Sequence, residues 1–494
     1  MSDRAYYKLI GKCLAVIVGL LVLCRLTDGY AAAVVAAVGV ICAVTGKTGI
    51  ALCCYVFMPL TIVINPLLVP LTSAIAYAAR FGPLLIGCVL AVTSSQRVGR
   101  HCVPLGLMIP FLLAACVSSI DGWFPKISYL KLINFSVFLL GLWLGTKNMH
   151  HRPKDVYLLR AFFMAVACFV ILGSVILYPF PAYSQLSAMQ LAMRSGDMGA
   201  AAELAQTAEG TSALFCGILN QSQALAPIMT CCVGWVVCDM LFILRKFNKI
   251  HLLLVGFSLP ALYLTRSRCG FLAFSVMATM VYFYASQRVK MPQKMKRHVR
   301  MGMTVGLVLV GLVMIAAELK GGTMTRWLRK RDDLSSDART FTEAVMASRQ
   351  GLMEDSLRDF RKNPLLGMGF QVDENVLIRF GRTEGLIISA SIEKGVLPTM
   401  ILGETGLLGA ILFVAFLVGF YAICNRKQFI ATVTLFTTFI ATNMGESTFF
   451  SPGGIGGIMW VVCLVGGFTI DTILLYQRNL ERTMALAGQV GFGR

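Results

Sequence analysis

Two arginines stand close together in a short polar interruption of apolar sequence. The segment 264–270 reads LTRSRCG and lies between two long apolar runs. An arginine in the bilayer core costs about 2.5–3.5 kcal/mol on insertion scales, so such residues usually face a cavity or a partner. A guanidinium group matches a phosphate with two hydrogen bonds and does not lose its charge. Arg266 and Arg268 are therefore candidate ligands of a diphosphate, and snorkelling to the interface is the alternative.

Two further arginines lie in the longest polar stretch of the chain, residues 320–398. Arg349 belongs to the segment SRQGLM, and Arg339 precedes it by ten residues. Both are candidate cations of a functional site on the outer side. On charge alone, each also fits a solvated surface residue.

Two carboxylates flank the point where the chain becomes apolar again. Glu393 begins the segment EKGVLP, and Glu404 begins ETGLLG at the start of the next apolar run. Either side chain is a candidate proton acceptor, and a structural ion pair explains either of them equally well. Lys394, which follows Glu393, is a candidate to extend the diphosphate-binding set.

A group of polar side chains interrupts another apolar run. The segment 217–226 reads GILNQSQALA, with Asn220 and Gln223 among its polar residues. In a membrane helix such residues often make hydrogen bonds between helices. The functional alternative is a polar lining for a sugar or a lipid headgroup.

Membrane helices are the elements that must position these residues. Hydrophobic residues make up 57% of the 494 residues, charged residues only 14%, and the mean hydropathy is +0.74. A soluble domain has about 25% charged residues, so most of this chain cannot face water. We predict an all-α, polytopic transmembrane helix bundle of about 12–14 spans. The predicted spans are 9–25, 30–45, 49–71, 81–95, 102–119, 130–146, 157–180, 212–243, 249–265, 269–286, 302–319, 399–423, 429–446 and 454–476.

Basic residues in the short loops predict the orientation of these spans. Residues 288–300 contain six Lys or Arg residues and no acidic residue, which is typical of the cytoplasmic side. When the spans alternate, the other basic loops fall on the same side, at 147–154, 245–249, 426–427 and 478–482. Both termini are then predicted in the cytoplasm. The segments 181–211, 265–269 and 320–398 are predicted on the outer side.

The long polar stretch is predicted to be an ordered, partly helical outer loop. From Thr340 to Phe360 the apolar residues recur near helical spacing, and Asn363-Pro364 ends the pattern. Gly367 and Gly369 then mark a turn. We accordingly divide the chain into a helix bundle at 1–319, a large outer loop at 320–398, and C-terminal helices with a cytoplasmic tail at 399–494.

Composition argues against several other classes of protein. The net charge is +20, which in a soluble protein would suggest nucleic acid as a partner; here the loops that set topology account for it. The sixteen cysteines lie mostly within apolar runs and behave as small hydrophobic residues, so neither disulfides nor a metal site is expected. The basic N-terminus is predicted to begin a first membrane helix rather than a cleaved signal peptide.

Four motifs, in this order, resemble those of the O-antigen ligase and O-antigen polymerase superfamily. They are Thr-x-Ser-Arg-x-Gly at 265–270, Ser-Arg-x-x-x-Met at 348–353, Asn-Pro-Leu-x-Gly-x-Gly at 363–369 and Glu-Thr-Gly-Leu-Leu-Gly at 404–409. The resemblance covers about 210–410. The first 200 residues match only as a generic helix bundle.

This resemblance implies a membrane-embedded, inverting glycosyltransferase that needs neither metal nor cofactor. The donor would be a glycan on undecaprenyl diphosphate in a bacterial inner membrane, and the acceptor another lipid-linked glycan or the lipid A core. Arg268 and Arg349 would bind the diphosphate on the periplasmic face and stabilise the charge of the leaving group.

The chain departs from the family pattern at two places. A His-Asn pair is common shortly before the Glu-Thr-Gly motif, but Gly395-Val396 stands here, and none of the five histidines lies in the outer loop. Some relatives carry Glu-Lys-Gly at this point, as residues 393–395 do, so Glu393 is a candidate replacement for the histidine base. Gln223 stands where an asparagine is usual. The acceptor and the base therefore stay open.

The function predicted from sequence is glycan polymerisation or ligation, with polymerisation mildly preferred because no feature suggests docking of a lipid A core. A transporter or lipid flippase of the same pathway is the alternative. A transporter should show inverted repeats and helices broken near the bilayer midplane, and the sequence indicates neither. A non-catalytic membrane scaffold is the third possibility, and the missing histidine favours it.

Overall fold

The structure is a computed structural model that describes residues 3–93, 102–149, 152–184, 215–287, 293, 297–299, 301, 350–374 and 395–491. Its helices are α1 (Asp3–Leu26), α2 (Tyr30–Val44), α3 (Thr48–Val63), α4 (Ser73–Thr93), α5 (Ile109–Ser118), α6 (Pro125–Met149), α7 (Pro153–Leu177), α8 (Pro181–Ser184), α9 (Ser222–Cys238), α10 (Lys249–Leu264), α11 (Arg268–Gln287), α12 (Gln350–Lys362), α13 (Leu397–Lys427), α14 (Ile430–Thr442), α15 (Ile455–Trp460) and α16 (Gly467–Gly491). Two π-helical turns extend these helices: Asp239–Leu244 follows α9, and Val461–Gly466 joins α15 to α16. Within the described residues no strand forms, apart from one isolated bridge between Ile64 and Leu219.

The predicted all-α bundle with several membrane-spanning helices is confirmed for the described residues. Seven helices of the described chain are long and apolar enough to cross a membrane, and six shorter apolar helices accompany them. The seven lie at Asp3–Leu26, Ser73–Thr93, Pro125–Lys147, Pro153–Leu177, Ser222–Leu244, Leu397–Lys427 and Ile455–Ala485. The predicted span at 302–319 lies outside the described residues.

Several helix ends differ from the predicted spans, since apolar sequence continues into packed loops next to α3 and α9, whereas α4 begins before its predicted span. The span predicted at 49–71 ends as α3 at Val63, and the next residues form a loop in which the Asn65 side chain hydrogen-bonds to the carbonyl of Tyr183. The span predicted at 81–95 begins eight residues earlier, at Ser73. The one predicted at 212–243 begins only at Ser222.

Loop contacts define two ends of the bundle. At one end, which we call the basic end, Lys246 pairs with Asp3 at 2.7 Å and Arg245 with Glu481 at 3.2 Å. The carboxylate of Asp3 accepts a hydrogen bond from Lys246 and so raises the pKa of that amine. The opposite end, which we call the docking end, is formed by the loops at 64–72, 119–124, 265–267, 363–371 and 443–454.

A buried ionic cluster joins four helices near the basic end, and sequence reasoning missed it. The guanidinium of Arg160 on α7 donates to both carboxylate oxygens of Asp239, at 2.7 and 3.1 Å. The Nε2 of His251 on α10 lies 3.0 Å from Oδ2 of Asp239. Tyr6 on α1 donates to the same oxygen at 3.5 Å, and its ring covers the Arg160 guanidinium. All four side chains are buried.

Candidate functional site

Helix α12 and the loop after it cap the start of α13 at the docking end. This short helix, Gln350–Lys362, covers the second half of the helix predicted from Thr340 to Phe360, whose first half lies outside the described residues. It ends, as predicted, before Asn363-Pro364. The Asn363 side chain accepts a hydrogen bond from the backbone N–H of Leu366 at 3.3 Å, which turns the chain towards α13.

Backbone hydrogen bonds then join residues 363–371 to residues 403–408, and we call this contact the glycine junction. The N–H of Met368 donates to the carbonyl of Gly403 at 2.9 Å, and that of Gly369 to the carbonyl of Glu404 at 3.1 Å. In the other direction, the N–H of Leu407 donates to the carbonyl of Pro364 at 2.8 Å. The two motifs at 363–369 and 404–409, separated by 34 residues of sequence, thus meet main chain to main chain.

The glycines of both motifs are needed for this close approach. A Cβ on Gly367 would collide with the carbonyl group of Glu404, and one on Gly406 with the carbonyl oxygen of Leu365. Gly406 also has φ 62° and ψ −164°, a conformation that L residues rarely adopt, and it breaks the helical path of α13. The predicted turn at Gly367 and Gly369 is present, because both have positive φ.

Glu404 lies directly in the glycine junction, where α13 is broken. Its side chain is buried, and Gln371 donates a hydrogen bond from Nε2 to Oε1 at 3.2 Å. Gln371 is itself buried and has φ 52°, so the backbone holds this amide in a conformation that costs of order 1–3 kcal/mol. The Ser118 hydroxyl donates to the backbone carbonyl of Glu404. A carboxylate held in this way can accept a proton from a substrate that reaches it.

Aromatic packing and serine hydroxyls anchor the docked loop in the bundle. The ring of Phe370 is buried and lies 5.2 Å from that of Phe450 and 6.1 Å from that of Phe135, between centroids. The Ser128 hydroxyl donates to the carbonyl of Phe370 at 2.9 Å and lies 2.6 Å from that of Ser119. The loop therefore sits in a rigid setting rather than on a solvated surface.

The arginine turn lies at the same end of the bundle, where its other motif residues have structural roles. The Ser267 hydroxyl accepts a hydrogen bond from the N–H of Gly270 at 3.3 Å and so caps α11. Thr265 donates to the carbonyl of Leu262 at 2.7 Å, and Gly270 leaves room for Ala226, since a Cβ there would lie 2.8 Å from the Ala226 Cβ.

The two arginines of the turn differ in how far they are exposed. Arg266 has φ 50° and is exposed, whereas Arg268 is the first residue of α11 and is partly buried. Their placement at a helix boundary at the docking end agrees with the predicted boundary.

A loop that sequence reasoning did not single out connects the arginine turn with the start of α13. The backbone N–H of Leu397, at the start of α13, donates to the carbonyl of Asn443 at 3.0 Å. Two residues later, Gly445 packs against the sulfur of Cys269, next to Arg268. Glu446 follows and is buried. The signal for this loop was a polar run, TNMGES, between two apolar helices.

The polar segment at 220–223 ties two helices together. Asn220 donates from its backbone N–H to the carbonyl of Val63 at 2.8 Å and from Nδ2 to that of Ile62 at 3.4 Å. These bonds favour the interpretation that the Asn220 amide holds helices together rather than lining a site for a sugar or a lipid headgroup. Among the described residues Oδ1 of Asn220 is buried without a hydrogen-bond partner. Gln223 lies in the first turn of α9 and is partly buried.

The remaining predicted site residues, Arg339, Arg349, Glu393 and Lys394, lie outside the described residues. In the part of the chain that is described, no three His, Cys, Asp or Glu side chains are grouped closely enough to hold a metal ion. No protein-family model matches the chain, and comparison with curated proteins gives no match.

Proposed function

We propose that this protein transfers a glycan from undecaprenyl diphosphate to an acceptor glycan at the docking end of the bundle, as a polymerase in preference to a ligase. One observation carries the proposal: the motifs at 363–369 and 404–409, on which the family resemblance depends, form a single junction around the buried carboxylate of Glu404. The arginine turn at 265–268 lies at the same end. In this proposal the arginine turn supplies a cationic site for the leaving group, and Glu404 supplies a carboxylate to activate the acceptor.

The cationic site supplies electrostatic stabilisation in this proposal. As the anomeric C–O bond breaks, negative charge develops on the departing diphosphate, and fixed guanidinium groups lower the energy of that state. Arg268 is the main candidate, because it opens a helix and is partly buried, where its charge is less screened. Arg349 joins it by family resemblance. Arg266, Arg339 and Lys394 are secondary candidates.

The glycine junction also offers an apolar surface for a lipid-linked donor. Leu365, Leu407 and Leu408 supply backbone atoms to the junction, while their side chains are 67%, 46% and 43% exposed. Exposed leucines on a membrane helix face acyl or prenyl chains at no cost in hydration. A polyprenol could therefore lie beside the carboxylate without leaving the bilayer.

Loop charges support an outward-facing site. The basic end carries Lys246, Arg245 and Arg426, and short basic loops are typical of the cytoplasmic side. The docking end would then face the periplasm of a bacterial inner membrane, where lipid-linked glycans are extended in the family that this chain resembles.

A transporter of the same pathway remains the second candidate, because α13 is interrupted at Gly406 and broken helices are a feature of transporters. However, the break here is filled by the backbone of Leu365 and Leu366, which leaves no open half-helix ends for a substrate. The length of the lipid-linked glycans and the leaflet on which repeat units accumulate distinguish a transporter from a transferase.

We expect Arg268→Ala and Arg349→Ala to abolish glycan extension in a strain that lacks the chromosomal copy. Arg268→Lys, which keeps the charge but loses the fork, should retain partial activity. Arg426→Ala, an exposed arginine at the basic end, is the matched control and should extend glycans normally. The readout is the length distribution of lipid-linked glycans, with protein level in the membrane measured in parallel.

Single repeat units should accumulate on the outer leaflet in the inactive variants. Long unattached chains would instead indicate a ligase, and repeat units trapped on the inner leaflet would indicate a flippase. Normal chain lengths in both alanine variants would reject the diphosphate assignment.

A further inference from the structure

One arginine inside the apolar helix α4 lacks a hydrogen-bond partner among the residues that the structure describes. Arg80 is seven residues from Ser73, where α4 begins at the docking end, so its Cα lies about 10 Å along the helix. Its Nε and Nη1 atoms are buried and have no hydrogen-bond partner among the described residues. Charged groups buried in this way normally acquire a partner, because desolvation without one is costly.

Snorkelling does not account for this side chain. An arginine that snorkels places its guanidinium in water and buries only its aliphatic stem. Here two of the three guanidinium nitrogens are shielded from water. The neighbouring rings of Tyr77 and Phe81 stack at 6.2 Å on the exposed face of α4. Arg80 therefore lies at the border between this face and the helix interior.

The helices around α4 provide no counter-ion. α4 packs against α2, α3 and α6, and none of these four helices contains an Asp or Glu residue between its ends. Two other arginines that lie in or at the end of apolar helices are bound by the protein: Arg160 pairs with Asp239 at 2.7 Å, and Arg25 donates to the carbonyl of Leu67 at 2.7 Å. Arg80 differs from both.

A second positive charge on α6 lies near the same level. Gly87 of α4 packs on Gly141 of α6, where a Cβ on Gly87 would lie 3.3 Å from the Gly141 Cα. The contact between Leu90 and Gly145 continues in the same direction, so the two helices run parallel. Seven residues before Gly87 and Gly141 stand Arg80 and Asn134, which therefore share one level.

Lys131 lies three residues nearer the docking end than Asn134, and both side chains are buried. Lys131 therefore brings a second buried basic side chain close to the level of Arg80.

We infer that Arg80 is the core of a lipid-headgroup site that takes a phosphate or diphosphate from the outer leaflet. The guanidinium fork binds phosphate oxygens with two charge-assisted hydrogen bonds. The lipid chain lies along the exposed side chains of Phe81 and Leu85, one turn apart on α4. Access is lateral, from the bilayer, because Arg80 borders the face that α4 presents to lipid.

Two lipids share this chemistry: a polyprenyl phosphate and an anionic phospholipid. The site goes beyond the proposed glycan transfer, since the residues assigned to that reaction are on other helices. A polyprenyl occupant would make it a holding site for the donor or the released carrier. Binding is measured here without turnover, so failure of this inference and failure of the proposed function are distinguishable.

The test uses the purified full-length protein, stripped of lipid in detergent. Undecaprenyl phosphate, phosphatidylglycerol and the zwitterionic phosphatidylethanolamine are titrated by native mass spectrometry. We expect Arg80→Gln to weaken binding of undecaprenyl phosphate about tenfold or more, and Arg80→Lys to weaken it less, because lysine keeps the charge without the fork. Lys126→Gln removes an exposed charge from the same end of α6 and should bind as the wild type does.

A photoactivatable undecaprenyl phosphate provides a readout that needs no mutant. It should label residues 77–85 in the wild type. Displacement of the label by excess phosphatidylglycerol assigns the site to bulk anionic lipid, whereas resistance to displacement assigns it to the polyprenol. Equal affinity of the wild type and Arg80→Gln for all three lipids, or labelling that avoids α4, would overturn the inference.

Discussion

Among the candidate site residues, Glu404 has the carboxyl group whose position is most completely fixed by its surroundings. It is buried in the glycine junction and accepts a hydrogen bond from Gln371 at 3.2 Å. The same backbone contacts fix its position from both sides, through the N–H groups of Met368 and Gly369. Such preorganisation is what a catalytic base requires.

We expect Glu404→Gln to lower the rate of glycan transfer by about a hundredfold or more, because general-base catalysis typically contributes that much. The amide has the same shape as the carboxylate, so membrane insertion and the thermal unfolding temperature should change little. Glu374→Gln, a half-exposed carboxylate beside Lys362, is the matched control. The measurement is extension of a lipid-linked repeat unit in membranes, and full activity of Glu404→Gln would leave Glu393 as the candidate base.

For single residues, sequence analysis found the charged candidates but not the residues that hold them in position. Glu404 and Arg268 are visible because a charge next to an apolar run is conspicuous. Gln371 is not, because its role depends on a backbone with positive φ that only the docked loop produces. Arg80 was missed for another reason: the predicted span began at residue 81, which placed this arginine in a loop, whereas α4 begins at Ser73.

Among the helices, α13 is one uninterrupted apolar run in the sequence, but its helical path is broken at Gly406. Its residues from Leu397 to Lys427 are nearly all apolar, and sequence analysis predicted a plain span from 399 to 423. The interruption at Gly406 could not be predicted locally, because the atom that requires it, the carbonyl oxygen of Leu365, belongs to another segment.

We expect Gly406→Ala to destabilise the protein by about 1–3 kcal/mol, the cost of holding an alanine at positive φ, in addition to its clash with Leu365. Activity should fall with it, since the junction positions Glu404. Gly256→Ala is the control, because a Cβ at that position on α10 has open space around it. Thermal unfolding in detergent checks both variants, and equal stability of the two would contradict the assigned role of Gly406.

For the whole molecule, the ionic cluster of Arg160, Asp239, His251 and Tyr6 acts as a clamp on the basic end. It connects α1, α7, α10 and the π-helical turn after α9. Its members are far apart in sequence, and none has a recognisable motif around it. Sequence analysis therefore had no means of bringing them together, although each buried charge was visible as an anomaly in an apolar run.

We expect Asp239→Ala to destabilise the protein by about 3–5 kcal/mol, because it leaves the Arg160 guanidinium buried without its counter-ion. The double variant Arg160→Met with Asp239→Leu should recover part of this loss, since it removes both charges. Unfolding temperatures in detergent of the wild type, Arg160→Met, Asp239→Leu and the double variant form the double-mutant cycle that measures the coupling. If the double variant were less stable than Asp239→Ala, the clamp would not be the origin of the effect.

The overall orientation gives a further prediction. Green fluorescent protein fused after residue 494 should fluoresce, because the C-terminus is predicted in the cytoplasm, where that fusion folds. Alkaline phosphatase inserted within 320–349 should be active, because that loop is predicted outside. The opposite pattern would place the docking end in the cytoplasm and contradict the proposed transfer reaction.

In the glycine junction, different atoms make the contact and form the exposed surface. Main-chain atoms and four small residues, Gly367, Gly369, Gly403 and Gly406, make the contact, while Leu365, Leu407 and Leu408 direct their side chains outwards. Another apolar side chain at any of these three positions would leave the backbone contacts of the glycine junction in place. Two proteins with such a junction could therefore have the same fold at low sequence identity. The spacing of their glycines would be the feature that they share.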